Sequence, residues 1–190
     1  MFSFKKRYYF IIENIKDINL NVLKKRNKFT IIYRTKSKSE NLTELLSFRK
    51  KCKIKTIEFF VANNLNLAIR LNSDGVYLSS YNKTFKALYL KRLNFKIIGS
   101  AHSNKEIYLK ITQGCKIIFF SKLFLVDYDK KSKFIGIVKF NNLLKNNKNL
   151  IPLGGINQNN LNSLKTLSSK GFALMSEIKK KPANIVNRLF

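Results

Sequence analysis

The chain has 190 residues, 45% of them hydrophobic, and a formal net charge of +28. That length suits one domain, the apolar fraction can fill a core, and no stretch reaches the roughly 20 apolar residues of a membrane-spanning helix. Two distant cysteines, Cys52 and Cys115, and one histidine, His102, exclude a disulfide framework and a zinc cluster.

Residues 8–13 (YYFIIE) form a first apolar run of strand length and 29–34 (FTIIYR) a second, joined by a connection that allows a helix at 20–25. Residues 42–52 are apolar at 42, 45, 46 and 48, which is helical spacing. A third strand is predicted over 57–61, a short helix over 65–71, and a fourth strand over 76–78 after the Asp74-Gly75 turn. Residues 84–93 read as a helix, 96–99 as a fifth strand, 104–112 as a helix and 116–120 as a sixth strand. A loop through Tyr128 and Lys133 leads to a helix over 136–144, a seventh strand over 151–153, a helix over 160–168 and an eighth strand over 172–175. The tail, 182–190, can close as a helix with Pro182 in its first turn. Gly75, Gly114 and Gly171 stand just before strands and read as caps that turn the chain.

Short apolar strands separated by helix-length segments imply a parallel sheet, and eight such strands close. The expected fold is α/β, a compact (β/α)8 TIM barrel, as a single domain over residues 1–190. Barrels of this class rarely run below about 200 residues, so helices and loops must be trimmed.

The charge fits polyanion binding or compositional drift. Lys, Asn, Ile and Phe share A/T-rich codons, and the lysines are scattered rather than gathered into one arm. Drift is the reading taken, with no specific nucleic-acid partner; phosphorylated ligands are attracted either way. The N-terminal MFSFKKRYYFII lacks a long apolar core and a cleavage site, so no signal peptide is expected and a cytoplasmic location is.

Chemistry in such a barrel sits at the C-terminal strand ends. Arg34 and Lys36 follow the second strand, Asn63 and Asn64 the third, and Ser79, Ser80 and Asn82 the fourth. Ser100 and His102 follow the fifth; Ser121, Lys122, Asp127, Asp129, Lys130 and Lys131 follow the sixth. The organising stretch is LIPLGGI at 150–156, taken with GFALMSE at 171–177. Gly154 and Gly155 lack a Cβ, so their backbone amides can approach an anion closely. With Ser176, where the last strand stops, they form the predicted phosphate cradle, at the loops where these barrels bind phosphate. An ordinary glycine turn is the alternative. The rim is basic and poor in carboxylates, so a Mg²⁺ site built by the protein alone is not evident.

DGVYLSS at 74–80, IIGSAHS at 97–103, LGGINQNN at 153–160 and GFALMSEI at 171–178 resemble the thiamine-phosphate synthase / thiazole tautomerase family, and YRTKSKS at 33–39 resembles its second-strand motif. The likeness runs in register over about residues 8–180. It implies a (β/α)8 barrel and two activities. One is coupling of a hydroxymethylpyrimidine pyrophosphate to a thiazole phosphate, with Mg²⁺ and release of pyrophosphate. The other is isomerisation of a thiazole carboxylate phosphate. By resemblance, Arg34 and Lys36 hold the pyrophosphate, Ser100 sits beside the reacting centre, and Lys130 meets the leaving group, although an ungapped register puts Asp129 there. Gly154, Gly155, Met175 and Ser176 hold the thiazole phosphate.

Both aspartates expected to hold Mg²⁺ are replaced, by Asn63 and Asn82. An amide oxygen can ligate Mg²⁺ but brings no charge, so these two are weak metal candidates. His102 is a candidate acid/base, and Asp127 and Asp129 are candidates to replace the lost ligands. The expected activity is that of the synthase, with the two phosphorylated precursors as substrates; the alternatives are an isomerase on the same anchor, or a non-catalytic relative that binds a phosphorylated ligand.

Overall fold

The computed structural model describes residues 7–23, 28–35, 41–126, 131 and 133–175. The strands are β1 (Arg7–Ile12), β2 (Phe29–Tyr33), β3 (Glu58–Ala62), β4 (Gly75–Leu78), β5 (Lys96–Ala101), β6 (Ile117–Ser121), β7 (Leu150–Leu153) and β8 (Gly171–Leu174). They pair in sequence order, all parallel, and β8 returns to β1 to close the barrel. Four α-helices among the described residues lie between them: α1 (Leu42–Ile54), α2 (Leu65–Arg70), α3 (Asn104–Thr112) and α4 (Gly136–Asn146).

Side chains alternate between two cores, as a pleated strand requires. Tyr9, Ile11, Ile32, Phe60, Tyr77, Ile98, Phe119, Ile151 and Ala173 fill the barrel interior. Their strand neighbours, such as Phe10, Ile31, Phe59, Val76 and Phe172, face the outer layer. Inside, Phe119 packs on Tyr9 and Tyr77, with ring centroids 5.0 and 5.8 Å apart. This aromatic plug makes the barrel a packed core rather than a pore.

Asparagine supplies several helix starts. Asn41 caps α1 by accepting from the Thr43 and Glu44 amides, and Asn64 caps α2 by accepting from Leu67; Ser103 does the same for α3. An Asx or Ser side chain at this position satisfies amides that the helix itself leaves unpaired. α1 buries Leu45, Phe48, Arg49 and Cys52, one stripe at helical spacing.

Two expectations are corrected and a third is refined. The helices expected at 84–93 and 160–168 are present, as 3-10 helices over Lys86–Leu93 and Asn162–Thr166. Neither has a side-chain cap, and the 3-10 rise of about 2.0 Å per residue lets a short segment span the barrel height. The connection after β1 holds 3-10 turns at Ile15–Asp17 and Leu20–Val22 rather than a helix over its described part. Gly75 and Gly171 begin strands and are not left-handed caps: a Cβ on either would strike the backbone of the adjacent strand, at Lys96 and Arg7. Only Gly114 follows a helix with positive φ, +80°. The predicted tail helix at 182–190 lies outside the described residues.

The N-terminal end of the barrel is stitched by charge. Glu58 accepts from Arg7, Thr30 and Lys96. Arg49 pairs with Asp74 at 3.0 Å, and the other Asp74 oxygen accepts the Phe59 amide. Asp74 thus has the structural role expected of a residue ahead of its strand. No helix among the described residues is long and apolar enough to cross a membrane.

Candidate active site

A cavity of about 250 Å³ opens among the C-terminal strand ends. Its wall takes Arg34 from just past β2, Tyr77 from β4 and Ser79 to Tyr81 from the loop after it, Ser100 from β5 and His102 from just past it, and Ser121 from β6. Gly154 to Asn157 follow β7, and Ala173 to Met175 come from β8. Four polar members continue the inward alternation of their strands: Arg34 two residues beyond Ile32, Ser79 beyond Tyr77, Ser100 beyond Ile98 and Ser121 beyond Phe119.

Of the residues singled out in the sequence, Arg34, Ser100, Gly154, Gly155 and Met175 therefore share one cavity. Lys36, Lys130, Ser176, Asp127 and Asp129 lie outside the described residues. Asn63 and Asn82 are not in the cavity wall.

The double glycine is shaped for a close approach. Gly154 has φ +95° and Gly155 φ +70°. A Cβ on Gly154 would stand 2.9 Å from the Ser121 hydroxyl, and one on Gly155 would be 2.5 Å from the Phe124 carbonyl. The Gly154 carbonyl accepts the Phe124 amide, and the Gly155 carbonyl accepts from Asn160 Nδ2. In a trans peptide the N–H points opposite its C=O, so the amides of Gly155 and Ile156 face away from these partners. β7 and β8 share one registered pair, Leu153 with Ala173, just below this turn.

Opposite it, Tyr77 forms part of the cavity floor. Burial raises its pKa, while a hydrogen bond with Ser100 and the nearby Arg34 charge pull the other way. Tyr77 was not among the sequence-based site residues; it lies inside β4, where nothing in the sequence separates a cavity tyrosine from a packing one. Tyr81 and Asn157 join the wall likewise, from loops with no strand periodicity to mark them.

His102 Nδ1 lies 3.0 Å from the Ser121 carbonyl, which can only accept, so Nδ1 is the donor in that bond. The ring ties the β5 loop to β6. The His102 amide donates to Glu106, and Ser103, not His102, is the side-chain cap of α3.

Asn63 and Asn82 are tested as Mg²⁺ ligands by their partners. Asn63 Oδ1 accepts from the Ser79 amide (3.0 Å), the Ser79 hydroxyl (3.1 Å) and Asn82 Nδ2 (3.1 Å). Asn82 Oδ1 accepts from the Thr84 amide and hydroxyl, both at 3.1 Å. Backbone amides only donate, so the atoms facing Ser79 and Thr84 must be the oxygens. Both carbonyls are filled with donors and have no lone pair to offer. The asparagine pair as folded does not fit a resident Mg²⁺; it is an amide knot tying the β3 end to the β4 loop. Among the described residues no group of three or more His, Cys, Asp or Glu is placed to hold a metal.

The family model for thiamine monophosphate synthase matches residues 8–178. The chain is similar to the thiamine-phosphate synthase of Prochlorococcus marinus (strain AS9601), 29% identical over 170 residues, which cover 88% of this chain and 47% of that protein. It is also similar to that of Persephonella marina, 27% identical over 153 residues, covering 78% of this chain and 73% of that protein. The chain spans about half the length of the first of these relatives. Among solved structures it is similar to the thiamine phosphate pyrophosphorylase from Pyrococcus furiosus, with TM-score 0.71, 19% identity and 98% of both chains covered. The 3-keto-L-gulonate-6-phosphate decarboxylase from Vibrio cholerae gives TM-score 0.63 at 13% identity, covering 97% of this chain and 99% of that one. At these identities the structural likeness is one of fold. The sequence match, which begins in β1 and runs past β8, takes in every strand of the barrel, and the chain belongs to the thiamine monophosphate synthase family.

Proposed function

We propose that this protein acts as a thiamine-phosphate synthase, joining a hydroxymethylpyrimidine pyrophosphate to a thiazole phosphate with release of pyrophosphate. The observation that supports it most is the placing of Arg34 and Ser100 in the same cavity as the Gly154-Gly155 turn and Met175. A cationic group and an amide turn in one enclosure suit two substrates that each carry phosphate.

In this reading the amides at the glycine turn and after β8 hold the thiazole phosphate, with Ser176 assigned by resemblance. Arg34 grips the pyrophosphate by two parallel hydrogen bonds, with Lys36 and Lys130 assigned to the same group by resemblance. The C–O bond to pyrophosphate breaks, and both bonding electrons leave with the pyrophosphate. Positive charge around the departing oxygens stabilises that step. The thiazole nitrogen then donates its lone pair to the pyrimidine methylene cation, forming the new C–N bond. No step is assigned to a metal held by the protein, because the asparagine carbonyls are occupied.

Formation of thiamine phosphate from the two purified precursors, followed by chromatography, tests the proposal, and complementation of a thiamine auxotroph lacking the synthase tests it in cells. Arg34→Ala should lower kcat/KM by about 100-fold, the order seen when one charge-stabilising donor is removed. Isomerisation of a thiazole carboxylate phosphate with no coupling activity would favour the second reading. That reading draws support from His102, a cavity-wall histidine whose ring is oriented by its bond to the Ser121 carbonyl.

A further inference from the structure

Lys110 is an unusual residue outside the cavity. It lies on α3 and is 0% exposed, although lysine is almost never fully buried without partners for its ammonium. Nζ donates to the Asn82 carbonyl at 2.7 Å and to Gln113 Oε1 at 2.8 Å. Gln113, also 0% exposed, sends its own Nε2 to the Asn82 carbonyl at 3.0 Å and the Thr84 carbonyl at 2.7 Å. Burial lowers the Lys110 pKa, against smaller opposing pulls from Cys115 and Glu106. Keeping the ammonium there costs stability, which these bonds offset.

The fold makes room for this side chain. A Cβ at Gly99 of β5 would stand 2.9 Å from Lys110 Cδ and 2.8 Å from Cys115 Sγ. Any larger residue at that strand position would displace the lysine stem. The bonds it reaches out to make belong to the loop after β4. On the other side of that loop, Asn82 Nδ2 closes the knot on Asn63. Asn63 in turn holds Ser79 by its oxygen and the Tyr81 hydroxyl by its nitrogen, and both residues line the cavity.

We infer that Lys110 and Gln113 are positioning residues for the cavity: they clamp the β4 loop from the α3 side, and clamp and amide knot together set the β3–β4 wall without a resident divalent cation. Two carboxylates in place of Asn63 and Asn82 would repel one another at this distance and would call for a cation between them. The amides instead supply donor and acceptor, and the buried lysine fixes the backbone that carries one of them. The inference rests on the phosphate-site reading only for its binding probe, inorganic pyrophosphate.

Lys110→Met keeps the stem beside Gly99 and removes the donor; Ile107→Val, also buried on α3, is the packing control. Hydrogen–deuterium exchange over residues 79–84 reads the wall without turnover, because the Ser79, Asn82 and Thr84 amides are all bonded there. Exchange in Lys110→Met should be faster by about tenfold or more, as for loss of a charged donor to a buried carbonyl, and Ile107→Val should match the wild type. Pyrophosphate affinity, by calorimetry in EDTA, should fall in Lys110→Met and hold in the control. Excess MgCl₂ should leave exchange over 79–84 in the wild type unchanged. Unaltered exchange in Lys110→Met, equal acceleration in Ile107→Val, or slowing of wild-type exchange by MgCl₂ would each overturn the inference, as would a pyrophosphate affinity in Lys110→Met equal to that of a wild type that binds it. If the wild type binds no pyrophosphate, the phosphate-site reading fails, and exchange alone still decides the role of Lys110.

Discussion

Arg34 stands half-buried where β2 opens into the cavity, and a planar guanidinium there can meet two phosphate oxygens at once, which an ammonium cannot. Its neighbour Tyr77 is held between the aromatic plug and Ser100. Other buried titrating groups carry a pH signature. Burial pushes the Cys52 and Cys115 thiols and the Tyr9 phenol up to about 12, from 9.0 and 10.0. Below about pH 9 these groups are neutral in folded and unfolded chains alike, and their contribution is fully present. From about pH 9 for the thiols and about pH 10 for the phenol, up to about pH 12, the unfolded chain ionises first, so each group takes away about 1.4 kcal/mol per pH unit over its own window. Urea midpoints should therefore fall steadily from about pH 9 to 12. The thiols should also resist iodoacetamide at mildly alkaline pH until denaturant is added; rapid labelling of the native chain, read by mass spectrometry, would contradict their burial. Arg34, Ser100, Gly154, Gly155 and Met175 could be picked from the sequence because each stands at or just past the end of a strand that the sequence marks. Tyr77 could not, because inside a strand a functional tyrosine and a packing tyrosine read alike.

At the level of strands and loops, the β3 and β4 ends behave as one unit joined by Asn63 and Asn82. The sequence shows two asparagines far apart in the chain; only folding brings the Nδ2 of one onto the Oδ1 of the other. Asn82→Asp would put a carboxylate oxygen where that donor now sits, facing the Asn63 oxygen. A cost of about 1–3 kcal/mol is expected for the lost and unsatisfied bond, seen as a lower urea midpoint with an unchanged slope. MgCl₂ should restore part of this in the variant and change nothing in the wild type. The strands themselves were legible to within a residue or two, since a run such as FTIIY or IIFFS is long enough to bury and too short for a helix. The segments at Lys86–Leu93 and Asn162–Thr166 were legible as helical but not as 3-10. That choice depends on the distance each must span between neighbouring strands.

Over the whole molecule, 38 basic residues face 10 acidic ones. The described acids Glu58 and Asp74 pair with Arg7, Lys96 and Arg49, all at the end of the barrel away from the cavity. Excess positive charge repels itself and weakens the compact state, and salt screens it. Raising NaCl from low to moderate concentration should therefore raise Tm, by roughly 2–4 °C for each kcal/mol of repulsion relieved in a chain of this size. The same salt should weaken pyrophosphate binding. Calorimetry and titration across one salt series would show the two trends running in opposite directions; a Tm that falls with salt would mean that specific ion pairs outweigh the repulsion.

Local chemistry was enough to set the number, order and direction of the strands. Apolar runs of strand length and turn residues between them are properties of neighbouring residues, and parallel pairing follows from the helix-length spacers. The partners of Asn63 and Asn82, the burial of Lys110 and the place of Tyr77 under Ser100 depend on contacts between residues far apart in sequence. Those contacts form only when the barrel closes. Closure turned two apparent metal ligands into a hydrogen-bonded tie and one of many lysines into its support.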